Sequence, residues 1–226
     1  METKKKQPRR LGRPPKQEAS NTRERILDAA LDLFATQGFA GTSMRQIARA
    51  VDIRESAIYA HFASKQEMYE TLFEEVGPPA FLLLELVEAG EHERLRHEPE
   101  RFLREVVRRI GEAWDEPRAR RFASVLMREG IMGTVVGSAT LLGAIEMGKR
   151  HLGGLLRAWM ERGLIKSRFP AEHLVWELIA PLATIRFLYW HVQSSEDERE
   201  TGHRLAERHV EYFLQSILCH QEKQES

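Results

Sequence analysis

The apolar positions of this chain recur three and four residues apart, which is the spacing of helices rather than of strands. The first such stripe lies on one face of a predicted helix and consists of Ile26, Ala30, Leu33 and Phe34. Asn21 and Glu24 form a capping pair at its start, and Gly38 is expected to stop it after about Thr36. We find no alternating β pattern and no internal repeat, so the chain is predicted to be all-α.

The next stretch contains two short helices on either side of a tight turn. Ser43 to Ala50 is predicted as the first helix, Val51 to Ile53 as the turn, and Arg54 to Ala60 as the second helix. Capping boxes at Ser43 and Ser64 support helix starts there, because Gln or Glu follows each serine by three positions. Such a helix-turn-helix presents its second helix to the DNA major groove. A plain helical hairpin inside a core is the alternative.

A known family carries a similar stretch. The segment GFAGTSMRQIARAVDIRESAIYAHFASKQEMYETLF resembles the DNA-binding domain of the TetR family of bacterial regulators, over about residues 22–76. Its most specific part is IYAHFASKQEM, in which five residues fall on family positions: Tyr59, His61, Phe62, Lys65 and Glu67. Two residues depart from the family pattern. Asp52 stands where the turn usually carries glycine, and Arg54 stands where the second helix usually opens on serine or threonine.

The resemblance implies an N-terminal helix-turn-helix domain of three helices and a C-terminal helical domain that binds a ligand and dimerises. On this basis we divide the chain into a flexible basic arm (1–20), a DNA-binding domain (21–76) and an effector-binding and dimerisation domain (77–226). Beyond residue 78 only helices are predicted, with starts near Pro79, Pro99, Pro117, Ser138, Pro170 and Glu196.

The second short helix is expected to read bases. Arg54 can donate two hydrogen bonds to guanine, and Glu55 can accept one from cytosine N4. Ser56 and Tyr59 face the same groove, and Arg45 at the start of the preceding helix reaches bases or backbone. A second set of side chains is expected to hold phosphates and so fix the register: Ser43, His61 and Lys65.

Charge is distributed unevenly although 34 basic and 34 acidic residues balance over the whole chain. Residues 1–65 carry 13 Lys and Arg against 7 Asp and Glu, and the excess lies entirely within residues 1–16. Inside this arm, Gly12-Arg13-Pro14 resembles the core of an AT-hook, which lies in the narrow minor groove of A·T-rich DNA. Arg10 and Arg13 are the candidate contacts. The alternative is a solubilising tail that touches only phosphates.

Two further sets of functional residues are predicted in the helical C-terminal part, one at a dimer interface and one around an effector cavity. The helix after Pro170 is apolar nearly all round and must be buried. As the resemblance implies, we expect a dimer interface formed by Leu178, Leu182, Val210, Phe213, Leu214 and Ile217. Burial wholly within one subunit is the alternative. The resemblance also implies a roomy cavity for a hydrophobic or amphipathic effector, and the residues expected to line it are Phe102, Trp114, Phe122, Met127, Trp159 and Trp176.

Other functional classes find little support in the sequence. No phosphate-binding glycine loop, nucleophile elbow or paired-carboxylate pattern is present, so we do not expect an enzyme. The histidines are scattered, and neither a metal nor another cofactor is predicted. Cys219 is the only cysteine and no apolar run reaches about 18 residues, so a cytoplasmic protein without a membrane span is expected.

The predicted function is that of a homodimeric, ligand-responsive repressor that binds a palindromic operator on double-stranded DNA. A structural protein that binds A·T-rich DNA without an effector is the alternative.

Removal of residues 1–16 is expected to weaken DNA binding and reduce its salt dependence without unfolding the protein. If each arm places about three charges on DNA, a dimer loses about five units of slope in log K against log salt concentration. Titrations of the full-length and truncated proteins at several salt concentrations measure this slope. An unchanged slope contradicts a role of the arm in DNA binding.

Overall fold

The helical elements were located in a computed structural model. It describes residues 16–77, 97–129 and 141–218, with the side chains of 16–20, 141–145, 147 and 148 left out of the description. Within these ranges the helices are α1 (Lys16–Gly41), α2 (Met44–Ala50), α3 (Glu55–Ile58), α4 (Lys65–Val76), α5 (Pro99–Asp115), α6 (Pro117–Glu129), α7 (Leu141–Glu161), α8 (Ala171–Tyr189) and α9 (Glu196–Ile217). The all-α prediction is confirmed. The helix predicted after Pro79 lies outside the described residues.

Helix α1 begins earlier than predicted. It starts at Lys16, so the expected start at Asn21 is wrong, and five residues assigned to the arm are helical. Gln17, Glu18 and Ala19 are good helix formers, and nothing between them and Asn21 breaks a helix. Near the other end, Gly38 takes φ 77° and ψ 165°, a conformation that interrupts the helix as predicted.

The turn of the helix-turn-helix ends α2 in a Schellman arrangement. The amide of Ile53 donates to the carbonyl of Ala48 at 3.0 Å, and the amide of Asp52 donates to the carbonyl of Arg49 at 3.3 Å. Asp52 has φ 57°, which is the left-handed conformation expected where related turns carry glycine. At the other end of α2, Ser43 forms the predicted capping box with Gln46.

The N-terminal core extends beyond the N-terminal domain. Helices α1 to α4 contribute fully buried residues that include Ile26, Phe34, Ile47, Ile58, Met68 and Leu72. Phe122 and Val125 of α6 belong to the same buried cluster, and α6 packs directly on α1. The head of the protein, by which we mean α1 to α4, is therefore held on a helix from the C-terminal part.

A second core is formed by α5, α7, α8 and α9. Its fully buried members include Leu103, Ile110, Leu152, Leu156, Trp159 and Trp190. The last helix stops at Ile217, because Leu218 turns extended and forms an antiparallel bridge with Ile165. Within the described ranges, none of the helices combines the length and apolarity needed to cross a membrane.

The residues expected at a dimer interface are buried inside a single chain. All six have between 0% and 4% of their surface exposed with no second copy present: Leu178, Leu182, Val210, Phe213, Leu214 and Ile217. Their assignment to a dimer interface is therefore wrong. The apolar residues of α8 that face α7 and α9 are covered by these two helices within the chain.

Two residues of α9 allow this correction to be tested. Phe213→Glu is expected to unfold the protein or cost at least about 3–5 kcal/mol, since it places a carboxylate in an apolar core. Gln215→Glu is the matched control, because Gln215 is exposed and its replacement leaves the core intact. Circular dichroism with urea denaturation measures both variants. A Phe213→Glu protein as stable as Gln215→Glu contradicts the assignment of Phe213 to the core.

Candidate nucleic-acid interface

The side chains predicted to read bases lie on the outer side of the helix-turn-helix. Arg45 of α2 and Arg54, Glu55, Ser56 and Tyr59 in and around α3 are all exposed. Within the described residues none of the five side chains takes part in a hydrogen bond or an ion pair. Polar groups of this kind are free to bind an external partner.

The opposite side of α3 anchors it in the head. Ile58 is fully buried and Phe62 is 1% exposed, and both belong to the N-terminal core. Arg25 of α1 donates a hydrogen bond of 3.0 Å to the carbonyl of Val51 and ties the turn to α1. Arg54 is the N-cap residue of α3 but makes no side-chain capping bond, so its guanidinium remains available.

Sequence reasoning missed Arg49, which lies four residues after Arg45 and therefore on the same face of α2. Arg49 is also exposed, and its side chain has no polar partner within the described residues. The spacing of the two arginines could have indicated it. Arg10 and Arg13 lie outside the described residues.

The three predicted phosphate contacts differ in their surroundings. The Ser43 hydroxyl is bound to Gln46 within the capping box, with 2.7 Å between the Ser43 and Gln46 side-chain oxygens. The ammonium of Lys65 donates to the carbonyls of Phe39 at 2.6 Å and Thr42 at 2.8 Å, and lies over the Phe39 ring. His61 is half-buried. Lys65 thus fastens the end of α1 to α4, a role that no local pattern indicated, while its contact with phosphate stays a prediction.

The residues expected to line an effector cavity do not converge on one site. Phe102 and Trp159 pack edge to face at 5.5 Å between ring centres within the C-terminal core. Phe122 instead belongs to the core of the head, 5.5 Å from the ring of Tyr69. Aromatic residues of separate helices therefore serve two different cores, and a cavity shared by the six residues stays a prediction.

The other three members of that set are also dispersed. Trp114 packs against Trp190 at 6.3 Å between ring centres. Met127 and Trp176 are 41% and 50% exposed. A groove of about 910 Å³ does lie between α8, α9 and the segment joining α7 to α8, with Lys166, Arg168, His173 and Tyr212 on its walls. None of the six predicted residues lines it.

Ion pairs join the head to α6. Arg118 contacts Asp28 at 3.1 Å and Glu75 at 2.7 Å, so it links α6 to both α1 and α4. Arg121 contacts Asp32 at 2.6 Å, and the carboxylate of Glu129 accepts a hydrogen bond of 2.7 Å from the amide of Phe39. These contacts supplement the apolar contacts and fix the position of the head.

A buried arginine joins the head to α8. Arg186 is 2% exposed, and its guanidinium donates to the carbonyls of Val76 and Gly77, both at 2.8 Å. The indole of Trp114 donates to the same Gly77 carbonyl at 3.2 Å and lies under the guanidinium. Burial lowers the pKa of Arg186 to about 9, so the group remains charged at neutral pH. Nothing in the local sequence around Arg186 indicated this contact.

The geometry defines a helix-turn-helix head carried on an all-helical domain. A family model described as bacterial regulatory proteins, tetR family, matches residues 26–72. The regulator AcrR of Shigella flexneri is 44% identical over 64 residues, and TcmR of Streptomyces glaucescens is 37% identical over 71. These matches cover 28% and 31% of this chain, and the chain spans only 30% and 31% of the length of these relatives.

Solved structures share the fold over nearly the whole chain. SmeT, the repressor of the Stenotrophomonas maltophilia multidrug efflux pump SmeDEF, has a TM-score of 0.68 and 21% identity, covering 90% of this chain and 94% of its own. NalD, the secondary repressor of the MexAB-OprM pump in Pseudomonas aeruginosa, has a TM-score of 0.67 and 21% identity, covering 90% and 98%. The head therefore matches the tetR family of bacterial regulatory proteins over residues 26–72, and the chain as a whole shares the fold of these solved structures.

Metal chemistry finds no support in the described part of the chain. No group of three or more His, Cys, Asp or Glu side chains there is arranged to hold a metal ion.

Lys65→Met is expected to lower the free energy of unfolding by about 1–3 kcal/mol, because two charge-assisted hydrogen bonds to carbonyls are lost. Arg54→Ala is the control and should change stability by less than about 0.5 kcal/mol, since this side chain is exposed and unpaired. Urea denaturation compares both variants with the parent protein. If Lys65→Met is as stable as Arg54→Ala, the structural role of Lys65 is refuted.

Proposed function

We propose that the protein is a homodimeric transcriptional repressor that binds a palindromic DNA operator and is released by a small hydrophobic or amphipathic effector. The observation that carries the proposal is the set of exposed, unpartnered polar side chains on and beside α3, held by a buried scaffold. Helix-turn-helix proteins place such side chains at base edges in the major groove.

The chemistry of these side chains suits the reading of G·C pairs. The guanidinium of Arg54 can donate two hydrogen bonds to O6 and N7 of guanine, and the carboxylate of Glu55 can accept one from N4 of cytosine. Arg45 and Arg49, one turn apart on α2, supply positive charge beside α3 for the DNA backbone. The contact with phosphates would position the head, and the residues of α3 would select the sequence.

A palindromic site requires a two-fold partner, and the exposed side of α8 and α9 is the proposed interface. Trp176 and Leu188 on α8 are 50% and 61% exposed, and Tyr212 on α9 is 75% exposed. Large apolar side chains at the surface are typical of positions that a partner covers. These residues replace the buried set that sequence reasoning selected, and the two copies would meet through the same surface of each.

The effector class rests on the neighbours in fold. One SmeT structure is a complex with triclosan, and this structure has a TM-score of 0.71, 21% identity and coverage of 89% of this chain and 93% of its own. SmeT and NalD are described as repressors of multidrug efflux pumps. We extend to this chain only the general class of a small, largely apolar ligand.

Binding-site selection from random DNA, followed by footprinting on the enriched sequence, tests this function. A palindromic footprint with one helical turn of about 34 Å between half-sites supports the repressor. Even coating of A·T-rich DNA supports instead a structural DNA-binding protein, for which the Gly12-Arg13-Pro14 arm is the favouring feature. Release of the bound DNA is then screened with a panel of hydrophobic compounds.

Arg54→Ala is expected to change which base is preferred at one position of each half-site. The loss of a bidentate contact with guanine removes about 1–3 kcal/mol of discrimination there. Affinities for a panel of single-base operator variants measure the change, with Arg101→Ala as the control because Arg101 of α5 is exposed and away from the head. An Arg54→Ala protein with the parent preference profile rules out base reading by this residue.

A further inference from the structure

The buried Arg186 has no role in the interface described above. It lies in α8, more than a hundred residues from the carbonyls of Val76 and Gly77 to which it donates. Those carbonyls end α4, the last helix of the head, and the amide of Gly77 closes that turn by donating to Phe73 at 2.9 Å. The end of α4 is therefore bound by a side chain of the C-terminal domain.

The end of a helix is a favourable place for a cation. Its last carbonyls have no partner within the helix, and the aligned peptide dipoles make this end negative. No basic residue of α4 occupies its own last turn, so Arg186 supplies the charge from outside. The face of the Trp114 ring adds a cation–π contact, with 4.9 Å from the guanidinium carbon to the ring centre.

The two-pronged guanidinium fixes the orientation of α4 relative to α8 as well as the distance between them. One terminal nitrogen binds Gly77 and the other binds Val76, so a displacement or a rotation of α4 relative to α8 strains at least one bond. The Nε atom of Arg186 is buried without a hydrogen-bond partner among the described residues, which leaves the two terminal nitrogens as the bonding groups. A lysine ammonium lacks this planar geometry.

We propose that Arg186 is a positioning residue that couples α8 to α4 and so sets the orientation in which the head presents α3. The proposal rests on the proposed DNA-binding function and adds to it the residue through which the C-terminal domain holds the head. Helix α4 contributes Met68 and Leu72 to the core to which α3 contributes Ile58, so a shift of α4 would be transmitted to α3. The ion pairs of Arg118 with Asp28 and Glu75 keep the head attached to α6 when this coupling is removed.

The test compares Arg186→Met with Leu182→Ala. Methionine keeps an apolar stem but removes both donors. Leu182 is fully buried on the same helix, one turn earlier, and belongs to the C-terminal core rather than to that of the head. Both variants are expected to be less stable than the parent protein, so stability alone does not distinguish them. Hydrogen exchange of the amides at the end of α4, relative to those of α9, and affinity for the selected DNA site are measured on the full chain.

In Arg186→Met we expect exchange at the end of α4 to rise at least tenfold relative to α9, and the DNA dissociation constant to rise more than threefold. In Leu182→Ala neither the exchange at the end of α4 relative to α9 nor the DNA dissociation constant should change by more than threefold. Arg186→Lys should give intermediate values, as should Trp114→Phe, which removes one of the bonds to Gly77. These two variants decide the question if Arg186→Met does not fold.

Exchange at α4 that does not rise in the Arg186 variants, or that rises equally in Leu182→Ala, overturns the coupling. A DNA dissociation constant within threefold of the parent value overturns the role in presenting α3. Failure of the proposed function has a different signature, because the parent protein itself then selects no DNA site while the exchange measurement still decides whether Arg186 holds α4.

Discussion

The candidate interface depends on a helix that cannot be stable by itself. Helix α3 has four residues, far below the length at which a helix persists in water. Its conformation is maintained by the burial of Ile58 beneath it and by the left-handed Asp52 in the turn before it. Because these constraints lie in the core beneath α3 and in the turn that precedes it, the outer side chains of α3 are not needed for folding. Arg54 and Tyr59 can therefore differ between relatives without loss of the fold.

Basic side chains bind carbonyls at the ends of three helices of the head. Lys65 binds those of Phe39 and Thr42 after the break in α1, Arg25 binds that of Val51 after α2, and Arg186 binds the end of α4. Each donor is distant in sequence from the carbonyl that it serves. Part of the positive charge of the N-terminal region thus stabilises the head itself, and a simple count of basic residues overstates the charge that is available to DNA.

Local signals carried the successful part of the sequence interpretation. The capping box at Ser43 and the turn at Asp52 involve residues within a few positions of each other, and both were confirmed. Contacts made across the chain left no such signal. The arrangement of Phe122 in the core of the head depends on how α6 packs against α1 and α4, and its sequence pattern is equally compatible with a cavity wall.

The error about the dimer interface has a definite physical origin. An apolar surface predicts burial but does not identify which surface buries it. In α8 the apolar residues are divided between the core, which takes Leu178 and Leu182, and the exposed side, where Trp176 and Leu188 lie. The first pair was selected because the helix is apolar nearly all round and the family resemblance implies a dimer, whereas the exposed pair is recognisable only once α7 and α9 are in place.

Helix α8 consequently has three different surroundings. One side is buried in the C-terminal core, one carries the exposed apolar residues proposed above as a dimer interface, and Arg186 extends from the helix to the end of α4. A second subunit that binds the exposed side would constrain the same helix that holds α4. Pairing of subunits and orientation of the head would then share one rigid element, because neither the packed core nor the forked hydrogen bonds of Arg186 deform gradually. Two recognition helices on the proposed operator would require such a connection, since a shift of a few ångströms within about 34 Å would move α3 out of register with its half-site.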